Sequence, residues 1–170
     1  MSLTYRIEPL DTKQHDRAAF SCAIEPLDTY LHERASQDVK RHVAAVYVMV
    51  EEGTSRIIGY YSLCTCSVET TQLPESLTKK LPRYDALPGM LLGRLAVDVR
   101  YQGQRMGTRL VADALKRCVR LSNDIAAMAV LVDAKDDKAA QFYEHFGFQR
   151  FADRPLSLFM TMRELRRTLG

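Results

Sequence analysis

Gly103 and Gly107 stand where an apolar run meets an amphipathic one, inside MLLGRLAVDVRYQGQRMGTRLVADALKRCV from Met90 to Val119. The first N–H groups of a helix have no partner within it and carry partial positive charge, so a pyrophosphate can rest there against bare backbone. The two glycines keep that backbone bare. Taken alone, a Gly-x-x-x-Gly spacing also serves tight strand-to-helix turns that bind nothing, so the spacing leaves both readings open. Two other nucleotide sites are excluded. The chain has no Gly-Lys-Ser/Thr ending of a P-loop, and no ribose-binding acid follows about twenty residues on in a second strand.

Tyr143 lies between Phe142 and Phe146, and aromatics so grouped usually pack a core. Its hydroxyl is the feature with chemistry to offer. Cys64 and Cys66 alternate in a strand-like run, where they cannot readily bridge, so these and Cys22 and Cys118 read as reduced thiols. His15, His32, His42 and His145 lack the spacing of zinc ligands, and no metal is expected. Formal net charge is only +3, yet the basic residues bunch: Arg34, Lys40, Arg41 and His42; Lys79, Lys80 and Arg83; Arg100, Arg105 and Arg109; Lys116, Arg117 and Arg120; Arg163, Arg166 and Arg167. Such bunching is the electrostatic footprint of nucleic-acid binding and equally of solvated helix faces.

The elements that must position these groups follow from periodicity. Tyr5 to Pro9 reads as a strand and Glu25 to Lys40 as a helix with Pro26 in its first turn and Leu27, Tyr30, Leu31 and Ala35 inward. Ala44 to Glu51 and Ile57 to Val68 form a hairpin about Gly53. Pro74 to Leu81 reads as a short helix, and Met90 to Val99 as a strand leading into the glycine turn. Met106, Leu110, Val111, Ala114, Leu115, Cys118 and Leu121 mark the buried stripe of the next helix. A strand over Ala127 to Ala134 follows, then a helix capped by Asp136 or Asp137 and closed by a left-handed Gly147, then strands Phe148 to Phe151 and Leu156 to Met162. The sum is an α/β (α+β) chain expected to form one domain over residues 1–170, a mixed, mostly antiparallel sheet of six to seven strands with helices on both faces. No apolar run nears the roughly twenty residues of a membrane span, and the N-terminus lacks a signal-peptide core. A cytoplasmic protein that meets no membrane is expected.

The strand ending LAVD, the turn RYQGQRMG and the segment AAQFYEHFGF together resemble the Gcn5-related N-acetyltransferase (GNAT) family, over roughly Ile57 to Met162. The stretch FSCAIEPLDTYLHERASQDVKRHVAAVYV, with IIGYYSL, LPRYDALPGMLLGRLAVD and FYEHFGF, is similar over nearly the whole chain to the acetyltransferase toxins of bacterial toxin-antitoxin modules. That resemblance implies acetyl-CoA as cosubstrate and the α-amino group of aminoacyl-tRNA as acceptor. It also implies a DNA-binding antitoxin as partner; a homodimer is a further expectation. In the family pattern Gln/Arg-x-x-Gly-x-Gly/Ala, Gln102, Gly103, Gln104, Arg105, Met106 and Gly107 hold the diphosphate, with Thr108 beside them. Leu95, Ala96 and Val97 present amides to the acetyl and pantetheine portions, Phe142 adds a coenzyme contact although it also reads as core, and Tyr143 serves the departing thiolate.

Arg105 departs from the pattern, standing where its first glycine falls, either as a surface residue or as a phosphate contact. Arg94 either pairs with a buried carboxylate or, with Lys40 and Arg41, lines the acceptor side. An α-amino group titrates near 8, so about a tenth is already neutral at pH 7 and no dedicated base is required. Acetylation of a small amine or a protein amino group, and a nucleic-acid-binding module without turnover, are the competing readings.

Overall fold

The computed structural model describes residues 2–169. Seven strands share one sheet: β1 (Tyr5–Pro9), β2 (Ala45–Glu51), β3 (Ile57–Glu69), β4 (Ala86–Val97), β5 (Ala129–Asp133), β6 (Gln149–Arg150) and β7 (Ser157–Thr161). Their order is β1-β2-β3-β4-β5-β7-β6. β1 with β2, β2 with β3, β5 with β7 and β6 with β7 run antiparallel, whereas β4 and β5 are parallel. The sheet is thus mixed and mostly antiparallel, as the alternating runs imply.

The helix expected over residues 25–40 is present but interrupted. α1 (Glu25–Thr29) and α2 (Ala35–Lys40) flank a π turn, Tyr30–Arg34, in which the Ala35 N–H donates to the Tyr30 carbonyl. α3 (Glu75–Thr78) is shorter than its sequence signal, and α4 (Met106–Leu121) and α5 (Asp137–Glu144) stand where periodicity puts them. Asp136 is the cap of α5, its carboxylate accepting from the Ala139 N–H at 2.8 Å, and Gly147 beyond it takes φ +104°. α6 (Met162–Leu169) has no counterpart in the sequence reading: only Met162 and Leu165 of its eight residues are buried, too few to show a period. β4 starts earlier than the apolar run, since Pro88 is tolerated ahead of the first parallel pair, Gly89 with Ala129.

The chain folds as two compact units, one from the N-terminal residues through Cys64 with Gly93–Ala114, the other Thr65–Leu92 with the residues from Leu115 onward. The first has a core around Phe20, Tyr30, Leu31, Val48, Tyr60 and Ala96. In the second, Val68, Leu73, Phe151 and Phe159 pack together under Leu77 and Leu81. All four cysteines are free thiols. Among the described residues, no helix is long and apolar enough to cross a membrane.

Gly59 governs how closely β3 approaches the start of α4. A Cβ there would lie 2.7 Å from the Ala96 carbonyl oxygen and 2.8 Å from Leu110 Cδ1. One of those neighbours is backbone and cannot yield. Gly59→Ala is therefore expected to destabilise the protein by about 1–3 kcal/mol through overpacking, although alanine suits a strand better than glycine. A lower urea midpoint at unchanged slope checks this; an equal or higher midpoint contradicts it.

Candidate active site

β4 ends at Val97 because Asp98 takes over the backbone. The Asp98 N–H donates to the Ile58 carbonyl at 2.8 Å, while its carboxylate accepts from the Arg100 N–H at 2.9 Å and the Ser21 N–H at 3.1 Å. The Arg100 guanidinium closes the set, with Nε on Oδ1 at 2.9 Å and Nη2 on Oδ2 at 3.1 Å. Asp98 is 1% exposed. Burial alone would raise its pKa, but the Arg100 side chain, two backbone donors and the Arg100 charge together hold it below the ordinary carboxylate value.

From this anchor a single 3-10 turn, Val99–Tyr101, delivers the chain to residues 102–105, then α4. Gln102 Nε2 donates back to the Val97 carbonyl at 2.9 Å and to the Cys22 carbonyl at 3.3 Å. The Tyr101 hydroxyl donates to Glu51 at 3.0 Å. Gly103 adopts φ +80° with nothing within 4 Å of where a Cβ would be, so the turn needs its backbone freedom and leaves open space beside it.

Arg105 has φ +64° and its carbonyl accepts from the Arg109 N–H, the first bond of α4. Its backbone thus occupies the left-handed region that a glycine would fill. That explains how this chain keeps the turn without the patterned glycine, at a conformational cost of about 1–2 kcal/mol. Gln102, Gly103, Gln104, Arg105 and Thr108 are exposed, Gly107 is half-buried and Met106 is buried, so Met106 offers an anion only its backbone. The result is an open turn at the head of a sixteen-residue helix, held from beneath by a buried carboxylate, and it fits a diphosphate.

Ala96 belongs to the core, and Leu95 and Val97 are half-buried, so what β4 presents to a ligand here is chiefly backbone. Arg94 has no carboxylate partner among the described residues. Its guanidinium lies 3.7 Å from the centre of the Tyr30 ring, a cation–π contact. Of the two places open to Arg94, the buried ion pair is thereby removed. Lys40 and Arg41 are exposed at the end of α2. Asp38 accepts from the Tyr30 hydroxyl at 2.8 Å, a contact that the sequence does not disclose because nothing in its spacing reveals the π turn.

In the second unit, Tyr143 projects from α5. Phe142 and Phe148 meet its ring edge-on, with centroids at 5.3 and 5.8 Å, and Arg150 binds both Asp137 and Glu144, near the two ends of the helix. The ring is buried, and burial pushes the phenol up to about 12. No described residue bonds its hydroxyl, yet the hydroxyl is not a buried orphan. It is a donor at the surface of a fixed ring. Phe142 is half-buried against Tyr143 and Phe146. Among the described residues, no group of three or more His, Cys, Asp or Glu is placed to hold a metal ion.

Residues 42–150 match the acetyltransferase (GNAT) domain family. The chain is 31% identical to a probable toxin TacT of Sinorhizobium fredii, over 96% of its own length and 94% of that protein's. It is 38% identical to a tRNA-acetylating toxin of Mycobacterium tuberculosis, over 68% of each. Among solved structures, AtaT complexed with acetyl-methionyl-tRNAfMet matches with a TM-score of 0.90 and 28% identity, covering 98% of this chain and 100% of that one. AtaTR bound with acetyl-CoA matches at 0.84 and 28%, over 98% of both chains. A tyrosine-to-phenylalanine mutant of the AtaT toxin, bound to the C-terminus of the antitoxin AtaR, matches at 0.84 and 25%, again over 98% of both.

Two predictions follow from the turn. Because the folded pKa of Asp98 lies below its unfolded value, its stabilisation is complete above about pH 4 and is lost as pH falls through the folded pKa. The difference in melting temperature between wild type and Asp98→Asn should therefore narrow as pH falls below about 4; a constant gap would show that ionisation at Asp98 contributes nothing. Arg105→Gly should raise stability by up to about 1 kcal/mol, since relief of the left-handed backbone exceeds the added freedom of the unfolded chain. A fall in melting temperature contradicts this, and acetyl-CoA titration of the same variant separates a phosphate contact, which predicts weaker binding, from a solvent-facing guanidinium, which predicts none.

Proposed function

The chain belongs to the GNAT acetyltransferase family, and on that premise we propose that it transfers the acetyl group of acetyl-CoA to the α-amino group of the amino acid on aminoacyl-tRNA, blocking translation. An acetylated nitrogen can no longer attack as a nucleophile in peptide-bond formation. The observation that carries the reading is the bare, Asp98-held turn at the head of α4 in a chain similar to a tRNA-acetylating toxin over 68% of its length and to AtaT, solved with acetyl-methionyl-tRNAfMet, over 98%.

Acetyl-CoA supplies a thioester whose carbonyl carbon the amine attacks. The backbone of residues 102–108 binds the coenzyme diphosphate, with Arg105 and Thr108 at its rim. The amides of Leu95, Ala96 and Val97 hold the pantetheine and acetyl portions, and an N–H among them takes charge developing on the carbonyl oxygen. Phe142 lines the coenzyme side of α5. As the C–N bond forms and the C–S bond breaks, the amine proton leaves to solvent and the sulfur departs as thiolate.

Tyr143 donates a hydrogen bond to that thiolate. Full proton transfer from a phenol at about 12 to the thiolate of a thiol near 8.5 would run uphill by roughly 5 kcal/mol, so the proton that completes the thiol comes from solvent. Arg94, Lys40 and Arg41 take the acceptor end of the tRNA. The reading also includes a cognate DNA-binding antitoxin, action in the cytoplasm where charged tRNA is found, and a homodimer whose two copies would widen the basic surface.

Incubation with labelled acetyl-CoA and a total charged-tRNA pool should place the label on the amino acid esterified to tRNA. Label on small amines or protein lysines, with none on tRNA, overturns the reading. Tyr143→Phe should keep the melting temperature and acetyl-CoA affinity while turnover falls about 100-fold or more. Full activity in that variant removes Tyr143 from the mechanism.

A further inference from the structure

The ring of Tyr30 carries two opposite charges that do not meet. The Arg94 guanidinium covers its face at 3.7 Å from the centroid, and its hydroxyl donates to Asp38 Oδ2 at 2.8 Å. No ion pair joins Arg94 to Asp38, and neither has another charged partner among the described residues. The ring cannot turn to bring them together. It is 3% exposed and stacks on Tyr60 at 6.3 Å and 16°, while the Tyr60 hydroxyl donates to the Leu27 carbonyl at 2.6 Å and Phe20 meets Tyr60 edge-on.

The π turn creates this arrangement. By inserting an extra residue between α1 and α2, it holds Tyr30 in the core while bringing Asp38, eight residues later, to the hydroxyl. Strand alternation puts Arg94 and Ala96 on the same side of β4, and Ala96 packs in the same core as Tyr30. The pair therefore flanks the stretch of β4 to which the acetyl end is assigned. Lys40 and Arg41 lie two and three residues beyond Asp38, at the exposed end of α2.

We infer that Asp38 and Arg94, held apart by Tyr30, form the seat of the aminoacyl ester at the end of tRNA, Asp38 taking the α-amino nitrogen and Arg94 the ester carbonyl oxygen. This rests on the aminoacyl-tRNA reading and adds a residue to it. A structural ion pair would have closed the gap; two fixed, unpaired charges of opposite sign complement a ligand that carries an ammonium beside a carbonyl. The amine arrives largely as ammonium, docks on the carboxylate, and becomes the nucleophile when one proton leaves to solvent. As its nitrogen bonds to the acetyl carbon it turns positive again, and the same carboxylate stabilises that charge until the second proton is lost. Tyr30 is a positioning residue: its ring, stacked on Tyr60, keeps the two partners apart without touching the substrate. The phosphates that adjoin the ester then meet Lys40 and Arg41.

The test measures binding of a total aminoacyl-tRNA pool, and of the same pool stripped of amino acids by mild alkali, with coenzyme A present so that no transfer occurs. Wild type should prefer the charged pool. Asp38→Asn should weaken its binding about 10- to 100-fold, the range for a hydrogen bond to a charged group, while leaving the stripped pool unchanged. Tyr30→Phe removes the same tie between π turn and α2 but keeps the carboxylate, so it should keep most of the preference. Equal losses in the two variants would make Asp38 a structural tie and overturn the seat, as would an undiminished preference in Asp38→Asn. If wild type acetylates no aminoacyl-tRNA, the parent reading falls and the seat with it; if wild type acetylates normally and Asp38→Asn matches it, the seat alone falls.

Discussion

A turn made of bare backbone cannot hold itself in place, and in this protein a single buried carboxylate does so. Asp98 gathers donors from Ser21, ahead of α1, and from Arg100, at the start of the turn, while its own N–H remains tied to Ile58 on β3. Desolvating a carboxylate is costly unless its oxygens are satisfied, and here each oxygen accepts two bonds. The network thus holds in place the exposed residues 102–105 at the head of α4. Gly59 stands one residue beyond Ile58, where its missing side chain lets Ala96 and Leu110 close on β3. Packing and charge thus fix the same point of the backbone from two directions.

Two buried phenols show how one physical effect yields two roles. Burial pushes both Tyr143 and Tyr30 up to about 12, so near neutral pH each keeps its proton and acts as a donor. The hydroxyl of Tyr30 is engaged by Asp38, which makes it a strut. That of Tyr143 has no partner among the described residues, while Phe142 and Phe148 fix its direction. Only the second is available to a ligand. In each case the aromatic neighbours are what make a flexible hydroxyl into a fixed one.

The extent to which the sequence disclosed this site follows from the range of the interactions involved. The stripe from Met106 to Cys118 is local and periodic, and α4 appears where it predicts, Leu121 alone turning to solvent. The glycine turn and Gly147 are legible because left-handed backbone has few occupants. Arg105 is the counter-case, an arginine in such a conformation, visible beforehand only as a departure from a family pattern. The π turn and the Tyr30–Asp38–Arg94 cluster were not legible, since they depend on a one-residue irregularity and on β4 lying across a helix sixty residues earlier in the chain. In sequence α6 shows only its charge, because its two buried residues are outnumbered by its arginines.

The groups around Arg94 also bear on which amine the fold can serve. Burial raises the pKa of Tyr30, Tyr60 and Cys64, so near neutral pH none of them can accept a proton from an ammonium. The nucleophile must then deprotonate by its own acidity. An α-amino group near 8 does so about 250 times more readily than a lysine near 10.4, a difference of roughly 3 kcal/mol in the neutral fraction alone. A carboxylate at Asp38 favours the protonated form of either amine alike, so it orients the acceptor without changing that ratio. The advantage of the less basic acceptor is thus intrinsic to the amine, and the buried phenols and thiol beside Arg94, all protonated near neutral pH, do nothing to offset it.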